Sequence, residues 1–495
     1  MRRRGFLQAA AAATLSAGAA AASAVSLAGS RAGSSSDSFA ANIAGKPLLA
    51  PLTGVTGDLD CERLVVQGRW PAELRGRFLR NGPALMARGG QRIGHWFEGD
   101  GMVQQFRIDG ARINHRGRLV QTAKLKIEAQ SGRLMYPSFN GLPAPGVPIS
   151  GPDSFNVANT NAIEHGGRLL ALWEGGSAYA LDPDSLGTQG PVTWQPGWEQ
   201  MPFSAHPKLD AKGTLWNFGT AGQRLVLYQI DAAGRVAQAQ VGSLPVRSGM
   251  VHDAAVTDRW FVIPLPPVRW SPGSPIGFDA RDALRILVVA KHDVSKQRVF
   301  ELPAEMVFHV GNAFERGDGQ IELTYMGSAG GDFLVDAAAA LMQGRVTPTG
   351  RTQTVRVVLD MASGRVERQA FGDETEFPRV HPMFIGRRAR YLTSVAGWRP
   401  RPLFDHGLQV RDLETGRIQR WDHGELGVAE EAVVVPKPGR SGEAEAWLLA
   451  TMFDGRRGAT TLQLFEMQHL ADGPVASAEL PYALPYGFHG NFQAA

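Results

Sequence analysis

Seven times between residues 106 and 472, an alternating apolar run ends on an aspartate and a turn of small or polar residues follows. The aspartates are Asp109, Asp182, Asp231, Asp293, Asp360, Asp412 and, in a weaker setting, Asp472. Gly-Arg follows at Gly234-Arg235, Gly364-Arg365 and Gly416-Arg417. Aspartate caps such a turn with its own carboxylate, and glycine supplies the positive φ that a tight reversal needs. The turns recur about every 60 residues, longer than the ~40–50 of simple propeller repeats. The expected fold is therefore all-β: a seven-bladed β-propeller whose surplus length forms loops over one face. The longest candidates, Gly132–Pro152 and Pro264–Phe278, are rich in Pro, Gly and aromatics, a composition suited to a lid or tunnel wall.

Composition agrees with many turns, since the 495 residues include 59 glycines and 31 prolines. The net charge is only +4, without the basic stripe and interleaved aromatics of a nucleic-acid binder. One cysteine, Cys61, excludes an intrachain disulfide and a thiolate zinc site. At the N-terminus, Arg2-Arg3-Arg4 precede Phe6-Leu7, an alanine-rich run and Ala22-Ser23-Ala24. That order predicts a twin-arginine-type signal peptide over residues 1–24 and export to the periplasm. Residues 25–48, rich in Ala, Ser and Gly, are expected to be a disordered linker ahead of one propeller domain over 49–495.

Four of the twelve histidines stand in distinctive settings: Ser204-Ala205-His206-Pro207, Met250-Val251-His252-Asp253, Phe308-His309-Val310-Gly311 and Pro485-Tyr486-Gly487-Phe488-His489-Gly490. Their spacings of 46, 57 and 180 residues are near one, one and three repeat lengths. Histidines at the inner end of each blade's first strand would converge on the propeller axis. A lone histidine on an apolar strand is usually a core residue, but four at repeat-like spacing fit a metal centre better. Four neutral imidazoles suit a borderline divalent ion and leave two octahedral positions open. Ligating imidazoles are commonly oriented by carboxylates. Glu174, Glu376 and Glu431 stand in apolar, strand-like stretches where an acid needs a partner, although Glu431, beside Glu430, also suits a solvated edge.

These stretches, with Arg80-Asn81-Gly82-Pro83, His95-Trp96-Phe97-Glu98-Gly99-Asp100-Gly101-Met102, Asn159-Thr160-Asn161 and Leu172-Trp173-Glu174-Gly175-Gly176, resemble the carotenoid cleavage oxygenases from about Gly68 to Phe492. The resemblance implies a seven-bladed propeller under a dome of loops and helices. It implies one Fe(II) per subunit held by His206, His252, His309 and His489, with Glu174, Glu376 and Glu431 hydrogen-bonded to three of these ligands. It implies a dioxygenase that uses O2 to cut a conjugated C=C bond into two carbonyls. The expected substrate is a carotenoid or apocarotenoid, met through peripheral membrane contact, with Phe308 beside it. Stilbene-cleaving members are the alternative: Lys124 stands near their phenol-reading lysine, but Gln91-Arg92-Ile93-Gly94 lacks the accompanying tyrosine, and Lys124 reads more readily as a surface residue. A propeller acting only as a binding module is the non-enzymatic alternative. His95 reads as structural, and His115, His165 and His423 as turn or surface residues.

Overall fold

The structure, a computed structural model, describes residues 34–139, 146–270, 274–398 and 406–495. The expected signal peptide and part of both long loops lie outside these residues. The described chain is mostly antiparallel strands, as expected for an all-β protein.

Consecutive segments form successive sheets. Strand Arg75–Leu85 pairs with Asp100–Asp109, which pairs with Arg112–Leu119. Four-stranded sheets follow over residues 161–191, 208–243 and 255–302. A seven-stranded sheet then runs from Met306–Glu315 to Ile418–Asp422. Within it, Val366–Arg379 pairs along its first half with Thr352–Asp360 and along its second with Tyr391–Gly397. The changeover falls at Gly372, whose φ of +81° few other residues accept. The last sheet holds Ala446–Asp454, Ala459–Glu466 and Ala476–Glu479, and recruits Val65–Gly68 from near the start of the chain.

Apolar clusters fill the spaces between neighbouring sheets. Trp70, Phe78 and Phe106 meet Trp447, Leu462 and Leu464; Leu170 and Phe203 meet Val226 and Tyr228; Ile286 and Phe300 meet Leu323 and Val357. A strand covered on both faces reads as an unbroken apolar run, as Ala446–Asp454 does.

All seven aspartates lie at connections between consecutive strands, six of them at tight reversals. Asp182, Asp231, Asp360 and Asp412 accept hydrogen bonds from backbone N–H groups two to four residues on, as the turn chemistry requires. Asp472 differs: it ends a 3-10 helix, Met467–Asp472, set between Ala459–Glu466 and Ala476–Glu479.

Two expectations need correction. Residues 35–48 are not a disordered linker, because Ser35–Ile43 is a helix with a reciprocal cap between Ser34 and Asp37. Its Phe39 is buried among Leu49, Met86 and Leu341, and Arg92 covers the ring 3.5 Å from its centre. His115 and His165 are not surface residues. His115 is 2% exposed between Gln104 and the Tyr482 hydroxyl, and buried His165 bonds the Asp231 carbonyl at 2.7 Å. His423 is half-buried beside Trp421.

Candidate metal centre and cavity

His309 lies in strand Met306–Glu315, and His489 begins strand His489–Ala494, which pairs with Arg75–Leu85. His206 and His252 sit just ahead of the short edge strands Lys208–Leu209 and Ala255–Val256. Four distant segments thus deliver four buried imidazoles to one point, with ligand nitrogens all within 4.8 Å of one another. The Nε2–Nε2 separations are 2.9 Å for His206–His252, 3.3 Å for His252–His309 and 3.0 Å for His309–His489.

The glutamates decide which way three of these rings face. Glu174 accepts from His252 Nδ1 and Glu376 from His309 Nδ1, while Glu431 accepts from His489 Nδ1 at 2.9 Å. An ionised carboxylate only accepts, so each Nδ1 carries the proton and each Nε2 presents a bare lone pair. Three lone pairs converging without a proton among them repel one another, and a divalent cation between them removes that repulsion. An all-imidazole set of this kind fits Fe(II) as well as other borderline ions.

Burial, reinforced by the three neighbouring imidazoles, holds His206 well below its ordinary pKa. Burial likewise takes His489 down to about 3, against the opposing pull of Glu431. Burial opposes charge on His252 too, yet adjacent Glu174 outweighs it and the net shift is upward. For Glu431 burial alone would raise the pKa, but Arg379 and His489 more than offset it.

Other residues lock the ligands in place, and sequence reading missed them. Asp253, next to His252, accepts from Lys208 Nζ and from the Val310 backbone, both at 2.8 Å, so residues flanking three ligands are tied together. Arg379 donates to Glu431 and to the Gly490 carbonyl. Buried Arg80 bonds Glu430 at 3.1 Å, and Glu430 accepts the Gly487 N–H at 2.6 Å. Arg379 stands in the quoted Glu376-Phe377-Pro378-Arg379 stretch and Arg80 in Arg80-Asn81-Gly82-Pro83; that a charged residue sits inside so apolar a context was the available signal. His95 is buried at the start of the short turn Trp96–Glu98, bonding the Leu334 carbonyl and the Phe97 N–H, which agrees with a structural role.

A cavity of about 970 Å³ opens over the histidines. Phe97, Phe308, Phe333, Trp173, Trp270 and Phe488 give its wall an aromatic character. Phe308 stands edge-on to His252, with ring centres 5.5 Å apart. Phe139 and Ile149 from one long loop, and Trp270 and Ile276 from the other, contribute to the wall. Lys124 is not part of it. It is 2% exposed, bonded at 3.0 Å to both Asp100 and Glu128, so the surface-lysine reading is wrong.

The retinal pigment epithelial membrane protein family model matches residues 53–494. The apocarotenoid-15,15'-oxygenase of Synechocystis is 30% identical over 86% of this chain and 92% of its own length. Lignostilbene-alpha,beta-dioxygenase isozyme III of Sphingomonas paucimobilis is 28% identical over 91% and 98%. An isoeugenol monooxygenase of Pseudomonas nitroreducens is 27% identical over 88% and 95%. The crystal structure of the cobalt-substituted Synechocystis apocarotenoid oxygenase superposes with a TM-score of 0.82 at 27% identity, covering 91% of this chain and 99% of that one. With a family model matched across the segments that carry all four histidines, and relatives aligned over nearly their whole lengths, the chain belongs to the retinal pigment epithelial membrane protein family, the carotenoid cleavage oxygenases.

Proposed function

We propose that this protein is a non-haem Fe(II) oxygenase that uses O2 to cleave a conjugated C=C bond of an apolar substrate, a carotenoid or apocarotenoid, into two carbonyl products. The observation that carries this reading is the convergence of four buried imidazoles beneath an aromatic cavity. His206, His252, His309 and His489 would hold the ion. Bound there, Fe(II) would supply open coordination positions for activating O2 beside the alkene.

The remaining work falls to the chain's own side chains. Glu174, Glu376 and Glu431 keep the Nδ1 protons in place and orient the rings. Phe308, Phe97 and Phe488 exclude water and offer flat apolar faces to a polyene. A polyene is favoured over a hydroxystilbene, because Lys124, the candidate phenol reader, is already occupied by two carboxylates.

Reading Val366–Arg379 as shared by two blades divides the sheets into seven, and the placement of the seven aspartates between strands supports that count. The long loops and the helical segment Phe333–Leu341 would then be the dome. The Arg2-Arg3-Arg4 leader, on this reading, sends the enzyme to the periplasm by the twin-arginine route.

The test is iron content and products. Purified protein should carry one Fe(II) per chain and, incubated aerobically with β-apocarotenals, yield two carbonyl fragments by mass spectrometry. Incubation with a hydroxystilbene gives the competing outcome. Absence of iron uptake, or product formation without O2, would overturn the oxygenase reading.

A further inference from the structure

The three glutamates are not equivalent. Among the described residues Glu174 and Glu376 have no ion pair with an arginine or lysine, whereas Glu431 is gripped by Arg379 through Nε at 2.8 Å and Nη2 at 3.1 Å. The same Nη2 donates to the Gly490 carbonyl at 2.7 Å. Glu431 in turn accepts from His489 Nδ1 at 2.9 Å and from the Gly490 N–H at 2.8 Å. A single guanidinium therefore holds both the carboxylate that orients His489 and the backbone immediately after it. A planar, forked donor is suited to this; a lysine ammonium reaches the charge but not both oxygens and the carbonyl together.

His489 stands at the first residue of its strand. Its ring is carried by the edge strand His489–Ala494, which has a single hydrogen-bonded partner strand, Arg75–Leu85. Strand Met306–Glu315, which carries His309, is likewise an edge strand, and its pairing is interrupted at Phe308 and His309, but there Asp253 fastens the adjoining Val310.

We propose that Arg379 is a positioning residue for the metal centre: the strand places the backbone of His489, and Arg379 acts through Glu431 to fix its ring in an Arg–Glu–His relay. The proposal rests on the metal-centre reading above, extending it to a residue outside the ligand and glutamate sets.

Cobalt(II), whose visible absorption reports ligand geometry, tests it in the full-length protein. Arg379→Met should lower Co(II) affinity ~10–100-fold, the range for groups that orient metal-bound histidines, and should change the visible spectrum. Arg379→Lys should recover affinity only in part. Glu431→Gln should weaken binding, and adding Arg379→Met to it should cost little more, because the two act in series. Arg411→Met, which breaks the buried Arg411–Asp373 pair elsewhere, is the control: it should lower Tm without altering the Co(II) spectrum. Should Arg379→Met fail to fold, Arg379→Lys and the double-variant cycle carry the test. Wild-type affinity and spectrum in Arg379→Lys, or full additivity with Glu431→Gln, would overturn the proposal. Failure of the wild-type chain to bind Co(II) or Fe(II) at all would instead overturn the metal-centre reading.

Discussion

Asn81 and His489 lie directly opposite one another in the pairing of Arg75–Leu85 with His489–Ala494. The Asn81 carbonyl accepts from the Phe488 N–H at 2.8 Å, and its amide donates to the carbonyls of Ala158 and Asn161. The first long strand is thus wired both to the last histidine and to the following sheet.

Removing that last strand should therefore dismantle site and fold together. Deletion of residues 485–495 exposes one edge of Arg75–Leu85 and discards the docked Tyr486, whose hydroxyl bonds the Leu48 carbonyl at 2.8 Å. The expected outcome is loss of iron and a large fall in Tm by calorimetry. A truncated chain that melts normally would contradict it.

The histidines and the glutamates should separate by severity. His252→Ala should abolish iron retention on gel filtration. Glu174→Gln should only reduce iron affinity ~10–100-fold, since the ring keeps its nitrogen and loses its orientation.

Lys124 should matter for stability and not for substrate. Lys124→Met leaves buried Glu128 without its cation and Asp100 with only Arg88 at 3.9 Å, a change of ~3–5 kcal/mol. Turnover per iron-loaded, folded enzyme should stay near wild type. A selective loss of stilbene cleavage would return Lys124 to the substrate pocket.

Mild acid should destabilise the fold through two neutral histidines. Burial holds His95 at about 4 and His115 at about 3, below an ordinary 6.5. A depressed histidine pKa means the unfolded chain binds the proton first, so stability is complete above pH 6.5 and falls as pH drops toward 4 and 3. Each residue should cost about 1–2 kcal/mol between pH 7 and pH 5. Urea midpoints across that range check it, and His115→Gln should flatten the slope.

The N-terminal helix should brace the cavity wall. Asn42 and Lys46 bond the carbonyls of Gln343 and Gly344, within the segment 330–351, whose two ends line the cavity. Phe39→Ala should cost ~3–5 kcal/mol. Hydrogen exchange in 330–351 should rise in that variant, and unchanged protection would remove the helix from this role.

What could be read from sequence depended on how local the physics was. An aspartate caps its own turn, so the repeat was visible, and even Asp472 stands where its strands reverse, although a 3-10 helix widens that turn. The four histidines stood out because each has a distinctive neighbourhood in its own short stretch of sequence. Lys124 was half legible: Glu128 lies one helical turn away, but Asp100 reaches it only through tertiary packing. Arg379 stood out as a charge in an apolar stretch, but its partner Glu431 lies 52 residues on, and nothing local announces the pairing. The helix at Ser35–Ile43 was hidden by a small-residue composition that looks unstructured until Phe39 finds its pocket.

The arrangement of ligands along the chain also bears on synthesis. His489 follows His309 by 180 residues, and its partner strand, Arg75–Leu85, emerges from the ribosome far earlier. A growing chain can bring together at most three of the four imidazoles until residue 489 has been made. A metal held by all four imidazoles can therefore be captured only at the closing stages of translation or after it, and a ribosome stalled before that point holds a protein with one strand edge open and its ligand set incomplete.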